Sequence, residues 1–299
     1  MQLTPSRYVA YIKGDSRLML TAPHGGYNRA DEITPRVEAA CLDSSGNCQY
    51  IEGCSDPVSD NVCEKRRILS DSCTMEITFD VAHYLKEDFN ISVTVAAILL
   101  HRSRLDANRY PDEGPYEHER EAAKKAFDEY TDIIESMINS SADKRGIMLD
   151  MHAQAKNSWL QLGYTISSSA LNNGSPDPNK SSIKNLFEKY NSKTGRDFKS
   201  LLNGDKSFGH YLQENIPVDI IPSPKYPTQD SDDNDPKRAY SLTGHYFCKV
   251  YGRDHPTFSA IQLEIPKSMR DSSNDCQDTD NYRRKVAAAI AAFYKYHYE

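Results

Sequence analysis

Short runs of β-branched and aliphatic residues alternate along the chain with longer stretches that carry apolar residues at helical spacing. Arg17 to Thr21, Val93 to Leu100, Gly146 to Met151, Val218 to Ile221 and Phe258 to Ile265 read as strands. Val93 to Leu100 is broken only by Thr94, the pattern of a strand buried on both faces. Thr74 to Lys86 reads as a helix with Ile77, Val81, Tyr84 and Leu85 on one face. Tyr116 to Asn139 carries a stripe of Ala123, Phe127, Tyr130, Ile134 and Met137, and Asp280 to Tyr298 repeats Val286, Ile290 and Phe293. Strands alternating with helices predict an α/β fold, with a mixed, mostly parallel sheet flanked by helices. There is no internal repeat, heptad pattern or linker, so the 299 residues read as one domain. Two stretches break the pattern. Cys41 to Asn61 is rich in Ser, Asp, Gly and Asn and opens a Cys-rich insertion over about 41–73. Ser223 to Arg238 is rich in Pro and Asp and is expected to be a mobile loop near the site.

Charge and cysteine usage narrow the class. A net charge of -7 argues against general affinity for nucleic acid or for anionic membrane surfaces. No stretch approaches the roughly 18 apolar residues of a membrane span. Five of the seven cysteines (Cys41, Cys48, Cys54, Cys63 and Cys73) crowd one segment, with Cys248 and Cys276 far away. The segment around them has little with which to bury itself, so two cross-links there are expected, in an extracellular or secretory-pathway protein. The alternative is a set of reduced thiols in the cytoplasm. A zinc knuckle is disfavoured because no CxxC pair occurs. The odd count leaves at least one thiol free or paired between chains. Sequons at Asn90, Asn139, Asn173 and Asn179 fit secretion but add little in a polar chain. Met1 to Asp15 has no apolar core of a signal peptide.

Four motifs carry candidate chemistry. Thr21-Ala22-Pro23-His24-Gly25-Gly26 sets a histidine directly after a strand, at the edge where open α/β sheets bind ligands. Ile147 to His152 does the same, with Asp150 on the same side as His152 and suited to orient the ring. Two strand-end histidines suggest zinc, which takes a third protein ligand and keeps one position open. Glu76, near the start of the Thr74 helix, is a candidate, with Asp71 and Asp80 as competitors; Asp71 also reads as a helix-capping charge. Glu264, at the end of Ala260 to Pro266, lies among apolar neighbours that raise a carboxyl pKa, as a general base and acid requires. His101 to Tyr110 follows the buried strand and offers Arg104, Asn108 and Arg109 for a substrate carboxylate.

Together these motifs resemble the N-formylglutamate amidohydrolase family. PHGG is similar to its early Pro-His-small-Gly turn, SRLDANR to its Ser-Arg-x-x-Asp-x-Asn-Arg element, and LDMHA to its Asp-x-His strand end. WLQLGYT and SLTGHYFCKVYG resemble later Gly-containing segments, with His245 where the family often has glycine. IQLEI resembles its Gln-x-Glu strand. The resemblance implies a zinc carboxypeptidase-like fold, of the phosphorylase/hydrolase-like kind, and one zinc per chain. It implies His24, an acidic residue and His152 as ligands, with Glu76 the best match for the second. It implies Glu264 as acid/base and an Asn108–Arg109 pair for a terminal carboxylate. The expected activity is hydrolysis of an amide next to a carboxylate, in an N-acyl amino acid or glutamyl-type substrate. The alternatives are a zinc peptidase (carboxypeptidase, γ-glutamyl or cell-wall peptide amidase) and an inactive secreted binding protein on the same fold.

Overall fold

Strands run over Gln2–Leu3 (β1), Val9–Ile12 (β2), Leu18–Ala22 (β3), Cys41–Leu42 (β4), Cys48–Gln49 (β5), Thr94–Ile98 (β6), Gly146–Gln154 (β7), Leu160–Gly163 (β8), Ile220–Ile221 (β9) and Phe258–Pro266 (β10). Helices cover Thr74–Phe89 (α1), Glu121–Ser140 (α2), Ser168–Asn172 (α3), Lys184–Thr194 (α4), Phe198–Asn203 (α5), Phe208–Asn215 (α6) and Tyr282–Tyr298 (α7). This computed structural model describes residues 1–50, 54–63, 65–111, 120–140, 145–228, 244–270, 276–278 and 281–299. Residues 229–238 of the expected Pro/Asp-rich loop, and the expected first turn of α2 at 116–119, lie outside them.

Eight strands form one sheet in the order β1-β2-β6-β3-β7-β10-β8-β9. The middle four, β6, β3, β7 and β10, are mutually parallel. Strand β2 joins antiparallel at one side and β8 at the other, so the sheet is mixed but mostly parallel at its centre. Side-chain alternation along the strands builds two cores. Leu18, Leu20, Leu149 and Leu263 meet Ile77, Val81 and Leu85 of α1 and Val286, Ile290 and Phe293 of α7. The intervening Met19, Met148 and Ala260 face the other way, against Phe127, Tyr130 and Ile134 of α2. The apolar stripes expected of these three helices are therefore the faces that cover the sheet.

Parallel pairing has one consequence for chemistry: β3, β6, β7 and β10 all end at the same edge. Register then sets which residues are neighbours there. Glu264 lies opposite His152, while Gln262 and Thr21 lie on either side of Asp150.

The Cys-rich insertion folds as a two-stranded hairpin, β4 with β5, stapled by Cys41–Cys54 and Cys48–Cys63. A third disulfide, Cys73–Cys276, joins the start of α1 to the far end of the chain, and Cys248 is free and buried. Helices α3 to α6 escaped the periodicity reading because each spans 11 residues or fewer. Three of them carry a local signal that marks them: Ser167, Asp197 and Ser207 each accept a backbone N–H at a helix start.

Candidate metal centre

The turn after β3 is wedged between two elements, which explains its glycines. A Cβ on Gly25 would stand 2.5 Å from the Met75 nitrogen, and one on Gly26 would stand 2.2 Å from the Leu99 carbonyl carbon. No other residue allows this approach to the start of α1 and the end of β6. The same closeness lets Asp71 N–H donate to the His24 carbonyl at 3.0 Å, bringing the segment before α1 to the sheet edge.

Three side-chain atoms converge there. His24 Nδ1 and His152 Nδ1 are 3.2 Å apart, and Asp71 Oδ2 lies 3.3 Å from the first and 3.0 Å from the second. A tetrahedral zinc with bonds of about 2.0–2.1 Å has donor–donor edges of about 3.3 Å. The far nitrogen of each ring is occupied by a carboxylate: His24 Nε2 meets Asp106 Oδ1 at 2.6 Å, and His152 Nε2 meets Asp150 Oδ2 at 2.8 Å. Donation from Nε2 leaves both Nδ1 lone pairs turned on one point beside a carboxylate oxygen. That convergence of lone pairs fits a cation. It is the one such group of His, Cys, Asp or Glu among the described residues.

The same carboxylates also favour a proton on His152, which a bound cation would have to displace. Burial opposes a charge on His152, but Asp150 and Asp71 outweigh it and carry the ring well above its ordinary value. Burial would also raise Asp71, yet hydrogen bonds from His152 and His24 hold it below the usual carboxylate range. Asp106 is fully buried and ionised, with Arg102 Nε at 3.0 Å, Arg36 Nη1 at 3.5 Å and Arg109 Nε at 4.0 Å. Asp150, also fully buried, accepts from Thr21 Oγ1 at 2.7 Å.

A cavity of about 590 Å³ opens over these atoms. Glu264 lines it, and burial, aided by the Asp71 charge, pushes its carboxyl up to about 7 against the opposing pull of His152. Gln262 Nε2 donates to Glu264 Oε1 at 2.7 Å and is itself held by the His245 N–H, which donates to Gln262 Oε1 at 2.9 Å. Arg67, Arg102, Arg109, Lys156 and Arg270 stand around the wall. This cationic lining sits in an otherwise acidic chain and suits an anionic ligand.

The structure brings most of the expected residues together and separates others. His24, His152, Asp150 and Glu264 share the edge. Glu76, the expected second ligand, is not in the converging group, and its carboxylate, raised by burial, turns to Tyr27. It sits on the second helical residue after Thr74, whereas Asp71 precedes the helix and leans across the sheet edge. Asp80 pairs with Arg283. Arg104, expected to bind substrate, also lies apart from the others. It gives its guanidinium to the Ile33 carbonyl and is absent from the cavity wall, where Arg102 stands instead. Arg109 lines the cavity beside Asn108, whose Oδ1 accepts from Phe247 N–H and whose Nδ2 lies 3.0 Å from His152 Nε2. The sequence reading missed Asp106, Arg102, Gln262, Arg270 and His245 as parts of the site. Asp106 was legible in principle, as a lone acid among Arg102, Arg104 and Arg109.

No protein-family model and no curated protein matches the sequence. Comparison of structures finds similar chains. An N-formylglutamate amidohydrolase from Ralstonia eutropha JMP134 is similar over 97% of each chain, at 10% identity and a TM-score of 0.46. A gene product of Agrobacterium tumefaciens is similar over 97% of this chain and 94% of its own, at 11% identity and a TM-score of 0.45. The N-acetylmuramyl-L-alanine amidase of Mycobacterium abscessus is similar over 95% of this chain and 99% of its own, at 10% identity and a TM-score of 0.36.

Proposed function

We propose that the protein is a zinc-dependent hydrolase of amide bonds that lie next to a carboxylate. The observation that carries this reading is the convergence of His24 Nδ1, His152 Nδ1 and Asp71 Oδ2 within 3.3 Å of one another, with each ring's far nitrogen on a buried carboxylate. Those three atoms would hold one ion per chain. Zinc held there would polarise a carbonyl and make water a better nucleophile. Glu264, with a proton affinity near neutrality, accepts the proton of the attacking water and delivers it to the leaving amine. Gln262 holds one oxygen of Glu264, which leaves the other for the proton. Arg109 binds the substrate carboxylate, and the cationic wall excludes cationic competitors. The substrate class is an N-acyl amino acid or a glutamyl-type small molecule. Residues 1–299 act as one catalytic domain, and three disulfides favour an extracellular or secretory setting. No described helix is long and apolar enough to cross a membrane.

The test is metal content by mass spectrometry together with turnover on a panel of N-acyl amino acids, for the wild type and Glu264→Gln. About one zinc in each protein, with turnover only in the wild type, supports the proposal. A wild type that stays metal-free after zinc is supplied, or a Glu264→Gln protein that keeps its turnover, rejects it.

A further inference from the structure

Two of the three converging donors sit at strand ends, where sheet register fixes them. Asp71 sits on a loop, and α1 begins after it without help from its own cap. Cys73, the residue before α1, adopts a left-handed φ of 67° and makes no side-chain capping bond. The loop is instead tied from outside. Arg270, just past β10, donates Nη1 to the Ser72 carbonyl at 2.9 Å and Nη2 to the Gln154 carbonyl at 3.0 Å. It thereby joins the neighbour of Asp71 to the strand that carries His152. The Tyr27 hydroxyl accepts from Cys73 N–H at 2.9 Å, and the Cys73–Cys276 disulfide ties the same residue to a point 203 positions away.

We propose that the Cys73–Cys276 disulfide and Arg270 form a clamp that positions Asp71, so that metal affinity at the site follows the oxidation state of this one disulfide. The proposal rests on the reading of His24, Asp71 and His152 as ligands. Its physical basis is the ordering cost of a loop-borne ligand: a loop already held in place loses less freedom when an ion binds. A dithiol reductant would supply two electrons and two protons, leaving the Cys73 and Cys276 thiols and its own cyclic disulfide. The Cys41–Cys54 and Cys48–Cys63 bridges join residues 13 and 15 positions apart in the hairpin and make no such tie, so they serve as an internal control.

The experiment compares the wild type, a Cys73→Ser/Cys276→Ser protein, a Cys41→Ser/Cys54→Ser protein and Arg270→Gln. Each is titrated with cobalt(II) alone, followed by its visible absorption, and each is examined by hydrogen–deuterium exchange over Ser70 to Met75. The clamp variant is expected to bind cobalt about 10- to 100-fold more weakly, the range typical for partners that hold a ligand in place. Its Ser70 to Met75 amides should exchange faster while those of β7 do not. Arg270→Gln should move both readouts the same way and covers the case in which the double serine protein does not fold. Unchanged loop exchange, faster exchange with unchanged cobalt affinity, or an equal loss of affinity in the hairpin control would each overturn the clamp. A wild type that takes up no cobalt removes the ligand reading and the clamp's effect on metal, while loop exchange still decides whether the bridge holds Asp71.

Discussion

His24 and His152 turn the same ring atom toward each other: their Nδ1 nitrogens lie 3.2 Å apart, and Asp71 Oδ2 completes the triangle. Glu76 stands outside it. Asp71→Ala is therefore expected to lower zinc affinity by more than the roughly 10–100-fold typical of losing an outer partner. Glu76→Ala should leave the metal content at its wild-type level. Titration of both variants with a competing chelator checks this. Zinc retained by Asp71→Ala and lost from Glu76→Ala would return the ligand role to Glu76.

That choice shows where the sequence stops being informative. His24 and His152 were legible because each directly follows a run of apolar residues, and strand ends in a parallel sheet share an edge whatever the connections do. Glu264 was legible for the same reason. Asp71 was not, because its place depends on the closeness of the PHGG turn to α1, a contact between segments nearly 50 positions apart. Asp71 read as a capping charge because a carboxylate ahead of a helix usually is one. Here its side chain leans away from the helix, and Cys73 takes the boundary position. Arg102 and Arg104 were indistinguishable in sequence. The turn after β6 decides between them, sending one into the cavity and the other to the Ile33 carbonyl.

Asp106 carries the charge balance beneath His24. It is fully buried between Arg102 and Arg36, so Asp106→Ala leaves guanidinium groups buried without their partner. A loss of about 3–5 kcal/mol is expected from breaking a buried ion pair on one side. Burial would raise this carboxyl, but Arg102 and His24 hold it well below its ordinary value. Its contribution is then complete above the unfolded value of about 3.9 and disappears as pH falls through the lower folded value. Urea unfolding of both proteins at pH 7 and at progressively lower pH checks this. A variant that unfolds within about 0.5 kcal/mol of the wild type at pH 7 would contradict the balance described.

Glu264 gives the opposite sign. Burial lifts its carboxyl to about 7 from an ordinary value of 4.5. The stability it contributes is complete below 4.5 and is lost as pH rises through about 7. Glu264→Gln should therefore gain stability relative to the wild type as pH rises from 4.5 to about 7, and the gain should level off above that. Activity runs the other way, because the base must be ionised. A cation beside it favours the ionised form, so the acid limb of kcat/KM should fall at or below pH 7. A limb centred clearly above 7 would assign the limiting proton to another group.

Arg109 and Arg104 separate substrate binding from structure. Arg109→Ala should raise KM for carboxylate-bearing amides roughly 10- to 100-fold, the worth of a charged hydrogen bond. Arg104→Ala should leave KM unchanged, since its guanidinium serves the Ile33 carbonyl. The comparison is made with matched substrates whose carboxylate is free or amidated. Equal KM changes on both substrate types would take Arg109 out of the binding role.

The cysteines allow a prediction that needs no substrate. Six are paired, and Cys248 is enclosed, with burial pushing its thiol well above the ordinary range. Protein kept free of reductant should show no thiol reactive to Ellman's reagent while folded and one after denaturation. All seven should react only after denaturation and reduction. Accessibility cannot mimic this result, because Cys41 and Cys48 lie on the surface hairpin and would react at once if reduced. Several reactive thiols in the folded protein would mean an open insertion, and the case for an oxidising compartment would fall with it. One thiol that appears only on unfolding would instead leave the Cys73–Cys276 bridge formed in the protein as made.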